Sequence, residues 1–162
     1  MREMKDSGIE WVGQIPKDWD VVPHKWVMHK VKKICEQYSG EDIISLTMNG
    51  VIKRDLTAGG KMPTSFDGYQ YVKPNDLLLC LFDIDVTPRC VGVVKDYGVT
   101  SPAYSRFVMH DGYYNAYYDY LLRAIDDDKV FVHLSKNLRS SLTESDFGAV
   151  SYTHLTLPTT SR

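Results

Sequence analysis

Apolar and polar positions alternate in short blocks along this chain, and the blocks predict mostly strands. Leu77-Leu78-Leu79-Cys80-Leu81-Phe82 is the longest unbroken apolar run, the pattern of a strand buried on both faces at the centre of a sheet. Upstream, Ile43-Ile44-Ser45-Leu46-Thr47-Met48 and Val51-Ile52-Lys53-Arg54 flank Asn49-Gly50. Asn-Gly between two such runs is the strongest short hairpin signal and predicts a β-hairpin. Residues 69–73 and 90–94 read as further strands, with turns at Pro74-Asn75-Asp76 and Asp96-Tyr97-Gly98, and residues 104–109 as a strand returning from the second turn. The expected sheet is mostly antiparallel.

A helical period shows in two places. From Pro23, Val27, Val31 and Ile34 recur while Lys25, Lys30, Lys32 and Lys33 fall mostly elsewhere, which predicts an amphipathic helix ending near Gly40. Asn115 is placed to cap a helix over 116–125, with Tyr117, Leu121 and Ala124 on one face and Tyr118, Leu122 and Ile125 on its neighbour. Tyr113, Tyr114, Tyr117, Tyr118 and Tyr120 then read as core rather than as a base-stacking platform. Residues 130–134 suggest a short strand, and Thr143 a cap for a last helix or turn.

Glycine and proline break the remaining segments into loops. Residues 1–22, with Gly8, Gly13 and Pro16, predict an irregular arm anchored by Trp11 and Trp19. Residues 57–68, with Gly59, Gly60, Pro63 and Gly68, predict a flexible loop, and residues 83–89 an irregular one. The expected division is an arm over 1–22, a domain over 23–148 and a tail over 149–162.

Composition narrows the class. The 162 residues are 43% hydrophobic, 25% charged and 12% aromatic, the balance of one soluble domain with a core. No run approaches the roughly 20 apolar residues that span a bilayer. Arg2, Glu3, Lys5 and Asp6 open the chain with no apolar stretch behind them, unlike a secretory signal, so a cytoplasmic protein without membrane contact is expected. The net charge of -2 gives no general basic field, so any nucleic-acid contact must be local. Cys35, Cys80 and Cys90 form no Cys-x-x-Cys pair and read as buried reduced thiols.

Catalytic motifs are sparse. Gly60-Lys61 is followed by Met62 where a phosphate-binding loop needs serine or threonine. His24 and His29 are five apart, off a shared helix face, and read as surface or partly buried side chains. Asp76 with Asp127, Asp128 and Lys129 could hold magnesium for phosphodiester cleavage. Their separation and the helix end beneath 126–128 favour an ordinary solvated acidic turn instead. No catalytic residue and no metal ligand is assigned.

Residues 151–162 carry Thr153, Thr156, Thr159 and Thr160 with neither a helical nor a strand period. The run Val150-Ser151-Tyr152-Thr153-His154-Leu155-Thr156-Leu157-Pro158-Thr159 resembles a translated transposase sequencing adapter. Residues 149–162 are therefore expected to be an artefactual or disordered tail, and the natural protein is expected to continue.

The opening Lys5-Asp6-Ser7-Gly8-Ile9-Glu10-Trp11-Val12-Gly13-Gln14-Ile15-Pro16-Lys17-Asp18-Trp19 resembles the start of the specificity subunits of Type I restriction-modification systems. Tyr71-Val72-Lys73-Pro74-Asn75-Asp76-Leu77-Leu78, Gly98-Val99-Thr100-Ser101-Pro102-Ala103-Tyr104 and Tyr120-Leu121-Leu122-Arg123 follow that family's order, and Leu138-Arg139-Ser140-Ser141-Leu142 with Asp146-Phe147 resembles its closing segment. The resemblance runs from Met4 to Gly148 and implies the first of two target recognition domains. Its implied fold is α+β, a twisted mixed and mostly antiparallel sheet flanked by helices.

The resemblance implies a non-catalytic reader of one half-site in double-stranded DNA. Its implied partners are a modification methyltransferase subunit and a restriction translocase/nuclease subunit, to which S-adenosylmethionine, ATP and magnesium would belong. No cofactor is expected on this chain. Loops rich in residues that bond bases and phosphates are the candidate DNA contacts: Lys53 and Arg54 on the hairpin, Lys61, Thr64 and Ser65 in the next loop, Thr87 and Arg89 in the one after. Lys136 and Arg139 form a fourth group. Ser101-Pro102-Ala103-Tyr104 reads as a strand entry with Tyr104 packed inward. The rival readings are a stand-alone magnesium-dependent nuclease and a protein-interaction module that binds no DNA.

Overall fold

The computed structural model describes residues 2–10, 12–57, 59, 63–87, 91–135 and 141–154. Its elements run β1 (Met4–Asp6), β2 (Gln14–Pro16), β3 (Asp20–Pro23), a 3-10 turn (His24–Trp26), β4 (Met28–Lys30), β5 (Ile44–Thr47), β6 (Gly50–Lys53), β7 (Gln70–Val72) and β8 (Leu77–Leu79). They continue with β9 (Val91–Val93), β10 (Gly98–Thr100), β11 (Ser105–Met109), α1 (Asn115–Asp127), α2 (Val130–Leu134), α3 (Glu144–Ala149) and β12 (Ser151–His154). The fold is α+β, and the strand ladders are antiparallel. Instead of the single sheet expected, a four-stranded sheet in the order β4-β11-β8-β9 is surrounded by two-stranded ones.

The apolar run at Leu77 explains this arrangement. Leu77, Leu78 and Leu79 are all fully buried, and their side chains alternate between two cores. Leu77 and Leu79 join Val91, Phe107, Leu122 and Phe147, whereas Leu78 joins Ile44, Val51, Val72 and Val94. Helices cover the first face and the β5–β6 hairpin the second. Each such leucine contributes about 1.5–3 kcal/mol by leaving water, so β8 cannot move to an edge.

The hairpin forms where Asn49-Gly50 predicts it, one residue out of place. Thr47 pairs with Gly50, so Met48 and Asn49 make the tip and Gly50, at φ 101°, closes it. Gly92 receives the hairpin on β9: a Cβ there would lie 2.7 Å from Val51 Cγ2.

The helix expected over 23–40 does not exist. After the 3-10 turn, β4 pairs Met28, His29 and Lys30 with Met109, Val108 and Phe107, and the chain continues extended: the Val31 N–H donates to the Arg106 carbonyl at 2.9 Å and the Cys35 N–H to the Tyr69 carbonyl at 2.7 Å. The burial pattern shows why: Val27, Met28 and Cys35 are buried but Ile34 is 40% exposed, so no helical face is covered. The open edge of β11 offers a partner that helical spacing alone does not reveal.

Residues 130–134 form a helix rather than a strand. A five-residue, mostly apolar run fits either, and here Phe131 docks into the main core. Residues 1–22 are not irregular, since β1 pairs with β2. Trp19 is half-buried under the Arg2 guanidinium, whereas Trp11 lies outside the described residues. Residues 151–154, which show no strand period, pair with β3. Backbone hydrogen bonding to an open edge requires no side-chain pattern.

Asn115 is not the cap of α1. Tyr114 holds that position, and Asn115 Nδ2 donates to the Asn75 carbonyl instead. Tyr118 is buried and Tyr113 and Tyr117 pack beside it, but Tyr114 and Tyr120 stand in solvent, so the tyrosine cluster is only partly core. His24 is fully buried against Phe147, with ring centroids 4.3 Å apart, rather than at the surface. Thr143 caps α3 in a capping box with Asp146. Cys35 and Cys80 are buried and free, and Cys90 lies outside the described residues. Among the described residues no helix is long and apolar enough to cross a membrane.

Candidate nucleic-acid interface

The hairpin β5–β6 ends in Lys53 and Arg54, and the two are placed differently. Lys53 Nζ lies 2.6 Å from Asp42 Oδ2, and this hydrogen bond holds the ammonium pKa above its usual value. Arg54 is half-buried, its backbone N–H donates to the Ile43 carbonyl at 2.7 Å, and its guanidinium makes no ion pair among the described residues. Both line an open depression of about 440 Å3 with Tyr38, Asp42 and Leu56. Its walls carry both charges.

The following loop presents Thr64 and Ser65 to solvent. Ser65 Oγ accepts the Asp67 N–H at 3.0 Å, and Asp67 accepts the Tyr38 N–H at 2.7 Å. The Tyr38 bond foremost, and the Ser65 side chain second, hold the Asp67 carboxyl below its usual pKa. Phe66 anchors the loop, 5.1 Å from the Tyr38 ring and 5.2 Å from that of Tyr69.

In the third loop, Asp83 takes a left-handed φ of 47°. The Thr87 hydroxyl donates to the Asp83 carbonyl at 2.7 Å and the Thr87 N–H to the same oxygen at 2.9 Å. The Thr87 proton therefore closes its own loop, while Phe82 and Val86 stand exposed beside it. Lys61, Arg89, Lys136 and Arg139 lie outside the described residues.

Tyr104 is half-buried. Burial foremost pushes its phenol pKa up, Cys80 and Tyr69 add to that, and the Arg54 charge opposes it. Tyr69 supports the second loop through Phe66, and Cys80 Sγ lies 3.9 Å from Thr87 Oγ1 in the third. Tyr69 and Cys80 thus tie the second and third loops to the strands beside them. Tyr104 packs inward against the Leu78 core, as expected.

The carboxylates do not form a metal site. Asp76 is buried, and its Oδ2 accepts from Arg106 Nε at 2.6 Å and from the Lys73 N–H at 2.8 Å. Asp127 and Asp128 are exposed at the end of α1. Among the described residues no group of three or more His, Cys, Asp or Glu is placed to hold a metal ion.

No family model matches the chain. No curated protein matches it either. Among solved structures, the chain is similar to the HsdS subunit from Thermoanaerobacter tengcongensis, with 12% identity and a TM-score of 0.48 over 93% of this chain and 35% of that one. It is also similar to a chain from work on complex assembly and conformational transition of the type I R-M system, with 14% identity and a TM-score of 0.52 over 93% of this chain and 36% of that one. The likeness is one of fold, and this chain spans about a third of the length of either.

Proposed function

We propose that this chain is the first target recognition domain of a Type I restriction-modification specificity subunit, binding one half-site of double-stranded DNA. The observation that carries the reading is the fold likeness over 93% of the chain to a component of such a system. The hairpin end with Arg54 and the loop that presents Thr64 and Ser65 give that fold polar side chains suited to base edges. The domain is non-catalytic on this reading. A modification methyltransferase subunit and a restriction translocase/nuclease subunit supply the chemistry, with S-adenosylmethionine, ATP and magnesium bound on them in the cytoplasm.

Selection of bound duplexes from a random-sequence pool by the purified chain, alone and with the cognate methyltransferase subunit, tests this. A short enriched motif is the expected result. Recovery of an unenriched pool in both arms would overturn it, and magnesium-dependent cleavage by the chain alone would favour the nuclease reading.

A further inference from the structure

The segment read in sequence as one face of a helix is instead the edge of the central sheet. β4 is the terminal strand in the order β4-β11-β8-β9, and its extension past Val31 is tied to the body through Arg106, Tyr71 and Tyr69. Lys30, Lys32 and Lys33 all stand exposed on it.

We propose that Lys30, Lys32 and Lys33 form a phosphate-binding edge that carries the sugar–phosphate backbone of duplex DNA. The inference rests on the duplex-binding reading above and adds a surface to it. Three lysines elsewhere are matched, Lys5 with Asp20, Lys17 with Glu3 and Lys53 with Asp42, while Lys25, Lys73, Lys95 and Lys129 are unpaired among the described residues but lie singly along the chain. Lys32 and Lys33 make no such pair among the described residues. A concentration of positive charge in a chain of net charge -2 is a local departure that a polyanion complements.

Two further features support it. Lys30 is held below the usual lysine pKa by partial burial first and by the neighbouring Lys32 charge second, a repulsion that an incoming phosphate relieves. Lys33 Nζ sits 5.4 Å over the Tyr71 ring, which stacks on Tyr97 at 6.1 Å. That contact holds a flexible side chain in place before binding. Lysine, a mobile point charge, suits phosphates rather than base edges.

The edge is tested with a random-sequence duplex pool, since backbone contacts need no target sequence. The full chain is compared with a variant carrying Lys30→Gln, Lys32→Gln and Lys33→Gln, with the three Lys→Arg changes together, and with Lys5→Gln/Lys17→Gln as a charge control. The glutamine variant is expected to weaken all duplexes alike and to reduce the slope of log affinity against log salt by about 0.9 per lost contact. The arginine variant and the control should keep both. An unchanged affinity and slope in the glutamine variant overturns the proposal. So does a glutamine variant that self-associates yet binds normally, because the lysines would then only protect an open strand edge. If the unaltered chain binds no duplex, the functional reading itself fails, a result distinct from either.

Discussion

Arg106 Nε lies 2.6 Å from Asp76 Oδ2 in the interior, with side chains only 8% and 2% exposed. The pair ties the turn before β8 to β11, and a second guanidinium nitrogen, Nη1, donates to the Tyr71 carbonyl at 2.9 Å. Removing one partner leaves the other charge buried and unmatched, which typically costs about 3–5 kcal/mol. Asp76→Ala is therefore expected to lose stability of that order in urea unfolding, with its midpoint far below that of the unaltered chain. A midpoint within error of the original would mean that the turn opens and solvates the arginine at little cost.

Gly98 passes close to the segment leading into β5. A Cβ on it would stand 2.2 Å from the Asp42 carbonyl oxygen and 2.9 Å from Ile44 Cγ1. The nearer obstacle is backbone, so relief requires shifting the strand rather than a side chain, and overpacking of this kind costs about 1–3 kcal/mol or more. Gly98→Ala should lower the thermal midpoint and disturb the Lys53–Asp42 pair at the end of the hairpin. Unaltered amide chemical shifts around Asp42 would refute the close approach.

Sequence reasoning located the core better than the interface. Leu77 to Leu81 and the hairpin were legible because burial on both faces and turn chemistry are local signals. The segment around Val31 was not, because its spacing satisfies a helix and only the distant β11 edge decides otherwise. Val130 to Leu134 was not legible for a different reason, since five mostly apolar residues are too few to show a period. At the site, Lys53 and Arg54 look alike in sequence. Their difference depends on Asp42, a neighbour that folding brings to Lys53.

His24 links stability to pH. Burial foremost pushes its pKa down to about 3 from an ordinary 6.5, and the nearby Phe147 backbone opposes that. Between those values the unfolded chain carries a proton that the folded one does not. Stability is therefore complete above about pH 6.5 and falls as the pH drops, by up to about 1.4 kcal/mol per unit. Carboxylates such as Asp67, whose pKa is lowered by hydrogen bonds, lose their contribution only at more acid pH. Unfolding free energies across pH 4.5–6.5 should therefore slope in the unaltered chain. His24→Phe should flatten that slope, and an equal slope in the variant would remove His24 as its source.

Arg54 and Lys53 should part company in DNA binding. Lys53 must leave Asp42 before it can meet a phosphate, whereas Arg54 makes no ion pair among the described residues and lies within electrostatic reach of Tyr104. A guanidinium presents a rigid fork that matches the two acceptors of guanine in the major groove, a recognition worth about 1–3 kcal/mol. Arg54→Ala is expected to cost that much against the enriched duplex and to relax preference at one base position, whereas Lys53→Ala should weaken all duplexes slightly and leave the motif intact. Titrations with the enriched duplex and its single-base variants separate these effects. Uniform weakening by Arg54→Ala would make it a backbone contact, and base reading would then pass to the loop that presents Thr64 and Ser65.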